Sequence, residues 1–342
     1  MQNQHREDNP LETIQQDAPA KPALPLPFWP RLRVKVGNYW ALFTLITFLL
    51  GLGGGYLLGI RDLAARYGNE PETSVSAPQD ATFTEQLIAQ INPPEGYPLE
   101  VKFRDIGPQL LAAGVVDYNA FVDVYENAGR PLSEEQLAIL TKASDKEIVF
   151  DRENAYFLLN FFWALGLANE NPILTDGPMV EYSEGQVERF ASTGGWTIAT
   201  KPITEVYASA QILPLSPAQQ NRVDEVAKGV YRPCCNNPTH FPDCNHGMAM
   251  LGMLELLASQ DASEEEMFTA AKYANAYWYP QQTLELATFF KSTQDQDFSQ
   301  IDSREIVGPN FSSGTGFQTV HQWLTENGVL EGSSGGGSSC GV

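Results

Sequence analysis

The stretch NAYFLLNFFWALGL, at residues 154–167, is apolar at almost every position. A helix of 14 residues rises only about 21 Å, which is too short to cross the ~30 Å hydrocarbon core of a bilayer. A helix that is apolar on every side is instead buried inside a protein. We therefore predict that residues 154–167 form the central core helix of a folded domain.

Helical patterns continue on both sides of this stretch. Phe121, Val124 and Tyr125 recur at the spacing that places them on one helix face. Strand patterns are few and short, and they lie at residues 99–103 and 196–199. In a capping box, a serine hydroxyl and the side chain three residues later each bond a free backbone N–H, which marks a helix start. Three such boxes lie at residues 133–136, 216–219 and 263–266. The pattern predicts a mainly α fold.

Residues 39–60, YWALFTLITFLLGLGGGYLLGI, carry no charge over 22 positions. About 20 apolar residues suffice for one helical pass through a bilayer, and Trp40 and Tyr56 suit its two interfaces. A cleaved signal peptide has a shorter apolar stretch, of ~7–15 residues, after a short charged start. Here 38 residues precede the apolar stretch. We expect an uncleaved transmembrane signal-anchor, with the lipid bilayer as a partner.

Basic residues near this segment predict its orientation. Arg31, Arg33 and Lys35 precede it, whereas Arg61 and Arg66 follow it. The excess of positive charge before the segment favours a cytoplasmic N-terminus and a cell-membrane protein whose C-terminal domain is extracytoplasmic. The chain then divides into a disordered cytoplasmic leader (1–38), a transmembrane helix (39–60), a linker (61–81), an α-helical extracytoplasmic domain (82–330) and a flexible Gly/Ser tail (331–342).

Charge and small residues bear on partners. The chain has 42 Asp and Glu against 21 Lys and Arg, a net charge of −21. Such an acidic chain repels phosphate backbones, which argues against a nucleic-acid partner.

The apolar segment contains four glycines, Gly51, Gly53, Gly54 and Gly55. Small residues let membrane helices approach closely, so a membrane-protein partner is possible through this helix.

One cluster of cysteines and histidines has the side chains that metal ions prefer. Cys234, Cys235, His240, Cys244 and His246 fall within 13 residues of the stretch RPCCNNPTHFPDCNHGMAMLGMLELL, in a chain with four cysteines and four histidines. Thiolate and imidazole are preferred ligands of zinc and copper. Prolines and asparagines predict a turn-rich loop that runs into a helix near His246. We expect one of the two adjacent cysteines, together with His240, Cys244 and His246, to bind one metal ion, zinc or copper.

Two other interpretations of the loop stay open. A structural disulfide could join Cys234 or Cys235 to Cys244, in a subunit that serves a membrane complex. Thiol redox chemistry is the other interpretation, with Cys340 of the tail as a resolving thiol.

Met250 and Met253 could add sulfur ligands for copper, but methionines at helical spacing are more often core residues. The chain has no Gly-x-Ser-x-Gly and no His-Glu-x-x-His motif, so we assign no catalytic residue.

Several stretches resemble known sequences. FRDIGPQLLAAGVVDYNAF, NAYFLLNFFWALGLANENPIL and the PCC…H…DCNHG motif are similar to a family of bacterial single-span membrane proteins, over about residues 97–342. This resemblance implies a membrane anchor but no particular activity. Pro233, Cys234, Cys235 and Cys244 also resemble the PCYCGC-motif lipoproteins, in which clustered cysteines precede a helix. The Cys-x-Cys-x-Cys run and the lipobox of those lipoproteins have no counterpart in this chain.

Overall fold

Helices dominate the part of the chain that this computed structural model describes, residues 81–330. The leader, transmembrane segment, tail and Cys340 of the sequence interpretation lie outside the described residues, as does the linker up to residue 80. Within residues 81–330, no helix has both the length and the apolar character that a membrane span needs. The described region is mainly α, as the sequence predicts.

The elements follow one another in an order that places a two-stranded sheet near the beginning and long helices near the end. The strands are β1 (Tyr97–Arg104) and β2 (Ser144–Phe150). The helices are α1 (Ala81–Ile91), α2 (Ile106–Ala113), α3 (Tyr118–Asn127), α4 (Glu134–Thr141), α5 (Ala155–Ala168), α6 (Pro172–Thr175), α7 (Pro178–Ser183), α8 (Ala191–Gly194), α9 (Ile203–Val206), α10 (Pro217–Gly229), α11 (Asn245–Ser259), α12 (Glu264–Trp278), α13 (Pro280–Gln294), α14 (Ser303–Ile306), α15 (Pro309–Ser312) and α16 (Gly314–Glu326).

The core lies around α5 and α11, which we call the central helix pair. Every residue of α5 except Tyr156 is buried, so the prediction of a central core helix is confirmed. The two helices cross at Gly166 and Gly252. A Cβ atom at Gly252 would collide with the carbonyl oxygen of Phe162, and one at Gly166 with that of Met248. The absence of side chains at this crossing therefore lets the two backbones touch.

A small antiparallel sheet packs against the helices. Tyr97 of β1 pairs with Phe150 of β2, and alternate residues of β1, namely Leu99, Val101 and Phe103, are buried. The strand predicted at residues 99–103 is therefore confirmed. The strand predicted at residues 196–199 is wrong, because this segment is irregular.

The segment at residues 196–199 is fixed in place by single hydrogen bonds rather than by a ladder. The buried indole of Trp196 donates to the carbonyl oxygen of Val115 at 2.6 Å, and Asp117 N donates to Ile198 O at 2.7 Å. Burial of the Trp196 ring, rather than pairing in a sheet, therefore explains why residues 196–199 are apolar.

The predicted helix starts are present. Capping boxes open α4, α10 and α12 at Ser133, Ser216 and Ser263. The carboxylate of Asp117 caps α3, whose Phe121 and Tyr125 are buried. Val124, which the spacing predicts on the same face, is 36% exposed. Only part of the predicted face is therefore buried.

One carboxyl group lies inside the apolar core. Glu255 of α11 is fully buried, and its Oε1 accepts a hydrogen bond from Asn171 Nδ2 at 2.6 Å. Asn171 also exchanges hydrogen bonds with Gln220 of α10. Burial raises the pKa of Glu255 well above its usual value, although bonds from Asn169 and Asn171 oppose this shift. The carboxyl group therefore keeps its proton to a higher pH than an exposed glutamate does.

Candidate metal centre

Residues 230–244, which we call the cysteine loop, connect α10 to α11. The loop folds back toward the end of α10, because Thr239 N donates to Val230 O at 2.8 Å and His240 N donates to Ala227 O of α10 at 2.9 Å. Its last residue, Cys244, is the N-cap of α11, and its sulfur accepts from Gly247 N at 3.4 Å. The loop is thus tied to a helix at each end.

Three sulfurs converge in this loop. The Sγ atoms of Cys234, Cys235 and Cys244 all lie within 4.8 Å of one another, and those of Cys234 and Cys244 are 3.6 Å apart. All three cysteines are free thiols and are half-buried. An ion with metal–sulfur bonds of ~2.3 Å in tetrahedral geometry separates its sulfurs by about 3.8 Å. The cluster can therefore hold one metal ion.

A buried arginine lies beside the sulfurs. Arg232 is only 1% exposed. Its Nε donates to Cys244 Sγ at 3.1 Å and its Nη1 to Asn237 O at 3.0 Å, while Nη2 reaches Asp243 Oδ1 at 3.1 Å and Phe241 O at 3.4 Å. A buried charge is tolerated only when it is paired and hydrogen-bonded. The guanidinium therefore organises the loop around itself.

Glycine makes room for this arginine. Gly247 lies in the first turn of α11. A Cβ atom at that position would collide with the guanidinium of Arg232. Since the N-terminus of a helix also carries partial positive charge, the first turn of α11 and Arg232 together favour negative charge on Cys244.

Ionisation of the three thiols is unequal. Hydrogen bonds from the Cys234 and Cys235 thiols hold the pKa of Cys244 well below its usual value, with help from Arg232 and against the effect of burial. Hydrogen bonding to Cys235 and Cys244 raises the pKa of Cys234, whose sulfur also accepts from Tyr279 Oη at 3.0 Å. The surroundings therefore favour the thiolate form at Cys244 over that at Cys234.

The two histidines of the predicted ligand set lie apart from the sulfurs. His240 Nε2 is 2.9 Å from Asp224 Oδ1 on α10. His246 Nδ1 is 3.0 Å from Asn245 Oδ1, and its ring packs against Tyr279 with centroids 4.6 Å apart. Burial lowers the pKa of His246 to about 4. Among the described residues, the group that can share one ion is Cys234, Cys235 and Cys244.

The geometry differs from the sequence interpretation at the adjacent cysteines. From sequence, one of Cys234 and Cys235 was expected to take part, because neighbouring side chains cannot easily both reach one ion. The structure brings both sulfurs to Cys244. A tight turn at Arg232–Cys235, where Cys235 N donates to Arg232 O at 3.4 Å, accompanies this arrangement.

Met250, Met253 and the further histidine of the described chain, His321, have structural contacts. Met250 and Met253 are fully buried in α11, so they are core residues as the sequence favoured. His321 of α16 is bonded to Glu285 of α13 through its Nδ1 atom at 2.7 Å. Within residues 81–330, His321 does not belong to the group that can share an ion with the cysteines.

Three residues of the site were missed from the sequence. Arg232 and Asp243 each lie close in sequence to a cysteine of the cluster, at RPCC and DCNHG. A charged residue in a polar loop is ordinarily exposed, so this proximity carries little weight without the fold. Tyr279 is 45 residues from Cys234, and no local pattern connects the two.

Comparison with known proteins adds no assignment. No protein-family model, no curated protein and no solved structure matches the chain.

Proposed function

We propose that this chain is a membrane-anchored, extracytoplasmic protein that binds one zinc or copper ion through its cysteine loop. The observation that carries the proposal is the convergence of three sulfurs, those of Cys234, Cys235 and Cys244, within 4.8 Å of one another. Membrane attachment through residues 39–60 rests on the sequence alone, as does the extracytoplasmic location.

The surroundings of the sulfurs support metal binding. Metal ions bind the deprotonated thiol, so a site that stabilises thiolate lowers the free energy cost of losing the protons. Arg232 and the first turn of α11 provide that stabilisation at Cys244. The arrangement is also anchored from outside the loop, because Tyr279 donates to Cys234. Ligands that are held in place before the ion arrives bind it with less ordering cost.

A second candidate is thiol–disulfide chemistry. The observation that favours it is the approach of Cys234 Sγ to within 3.6 Å of Cys244 Sγ, the thiol whose pKa is lowered. A thiolate close to a second thiol can form a disulfide in an oxidising compartment. A structural disulfide between the same two residues would instead make the loop a fixed element of an interaction subunit.

Elemental analysis with a thiol count distinguishes these functions. The full chain would be extracted in mild detergent and purified without added metal or chelator. We expect about one equivalent of zinc or copper, which Cys244→Ser abolishes and Cys340→Ser leaves intact. Full metal occupancy in the Cys244→Ser variant would contradict the proposal. Absence of metal, with two thiols that appear only after reduction, would instead establish the disulfide.

A further inference from the structure

The coordination number of the cluster points to one kind of ion. Three sulfurs can share an ion, and among the described residues no histidine or carboxylate joins them. Zinc in structural sites is almost always four-coordinate and tetrahedral. A site with three thiolates alone suits a soft cation of low coordination number, and thiolate ligands select Cu(I).

The side chains nearest in sequence are committed to other partners. Both carboxylate oxygens of Asp243 are engaged, one by Arg232 and the other by Asn237 Nδ2 at 2.8 Å. His240 is held by Asp224 on α10, and His246 is packed on Tyr279. For any of them to become a fourth ligand, a buried or half-buried contact would have to break.

Groups that stabilise negative charge surround the sulfurs. Three thiolates with one monovalent cation keep two excess negative charges, one more than with a divalent cation. Three donors offset this excess in the structure: Arg232 Nε and Gly247 N at Cys244, and Tyr279 Oη at Cys234. The guanidinium is buried, so its positive charge acts on the sulfurs with little screening by solvent. The guanidinium therefore offsets one of the two excess negative charges of a Cu(I) complex, and the two neutral donors stabilise the remaining charge.

On the assumption that the proposed metal site is correct, we infer that its ion is Cu(I), bound in a three-coordinate, all-sulfur site by Cys234, Cys235 and Cys244. Copper enters and stays as Cu(I), so no electron is transferred. Each protonated thiol that binds releases its proton to solvent. The two loop histidines take no part in the coordination.

The test uses the full chain in mild detergent, without oxygen and with a phosphine reductant. Cu(I) would be titrated against bicinchoninate, Zn(II) against a chromophoric chelator, and the copper-loaded protein would be measured by X-ray absorption. We expect one equivalent of Cu(I), three sulfur neighbours and displacement of Zn(II) by Cu(I). His240→Gln and His246→Gln should leave the affinity for Cu(I) unchanged.

Serine variants of the three cysteines test the same inference through loss of Cu(I) binding. Replacement of Cys234, Cys235 or Cys244 by serine should weaken Cu(I) binding by more than the ~10–100-fold that loss of an outer partner causes. Cys340→Ser is the matched control and should bind Cu(I) as the unaltered chain does.

Two other results would distinguish the Cu(I) inference from the proposed metal-binding function. Four-coordinate zinc that Cu(I) fails to displace, with a nitrogen neighbour lost in His246→Gln, would overturn the inference and support the proposed metal function. Failure of the unaltered chain to bind either ion would overturn both.

Discussion

The central helix pair and the cysteine loop meet at Cys244, yet they are held together by different forces. In α5 and α11, nearly every side chain is apolar and buried, and glycines bring the backbones into contact. In the cysteine loop, a buried guanidinium bonds one sulfur, one carboxylate and two carbonyl oxygens. Shape fixes the helix pair, whereas charge and hydrogen bonds fix the loop.

The difference determines how each region tolerates substitution. An apolar crossing fails when atoms are added, because a close-packed interior cannot absorb them. A loop built around one buried charge fails when that charge is removed, because its partners are left unpaired. The predictions below test this contrast, from the largest expected effect to the smallest.

The largest effect is expected at Arg232. Arg232→Met leaves the Asp243 carboxylate and the Cys244 sulfur without their cation, and it removes one hydrogen bond from each of the carbonyl oxygens of Asn237 and Phe241. Breaking a buried pair from one side costs ~3–5 kcal/mol, and we expect a loss of that size in the free energy of unfolding. Urea denaturation of the metal-free full chain would measure it.

Arg304→Met is the matched control, since Arg304 forms an exposed ion pair with Glu264. We expect it to cost less than ~1 kcal/mol. Equal losses in the Arg232 and Arg304 variants would show that the loop does not depend on its buried charge.

A smaller effect is expected at the helix crossing. Gly252→Ala adds a Cβ atom against the carbonyl oxygen of Phe162 and forces the central helix pair apart. Overpacking of this kind costs ~1–3 kcal/mol. The measurement is again the urea midpoint. Gly314→Ala serves as the control, because its Cβ would lie at an ordinary 3.4 Å from Asn236 Oδ1. A Gly252→Ala variant as stable as the control would disprove the close contact.

The smallest effect is expected at Glu255, and it depends on pH. The pKa of Glu255 is raised in the folded chain above its usual value of 4.5. Its stabilising contribution is therefore complete below about pH 4.5 and is lost as the pH rises through the folded-state pKa. Hydrogen bonds from the uncharged Asn169 and Asn171 offset only part of this loss.

Glu255→Gln should remove this pH dependence. Each unit of pKa shift corresponds to about 1.4 kcal/mol, so the variant should gain stability over the unaltered chain as the pH rises. Urea midpoints across a pH series would check this. Glu134→Gln, at an exposed position, should leave the series unchanged. A parallel series for the Glu255→Gln variant and the unaltered chain would contradict the prediction.

The same contrast explains what could be predicted from the sequence. The buried α5 was predictable because a run of apolar side chains has one physical outcome in a folded domain. Capping boxes were predictable because both partners lie within four residues. The contact between Gly166 and Gly252 was not predictable, since each glycine alone is compatible with many surroundings.

The candidate site was predictable in location but not in composition. The density of cysteines and histidines indicated the loop, and its three cysteines do converge. Spacing could not show that His240 bonds Asp224 or that His246 packs on Tyr279, because both orientations depend on neighbouring helices. The role of Arg232 depends on burial, which a single charged residue in a sequence does not reveal.

The contacts of the cysteine loop with the start of α16 have a consequence for synthesis. Asn236 Oδ1 accepts a hydrogen bond from Thr315 N, 79 residues further on, and Gly314 N donates to Cys235 O. A ribosome makes the chain from its N-terminus, so these donors emerge well after the loop. Until α16 is made, the turn at Cys235 and Asn236 lacks the hydrogen bonds that Gly314 and Thr315 donate to it.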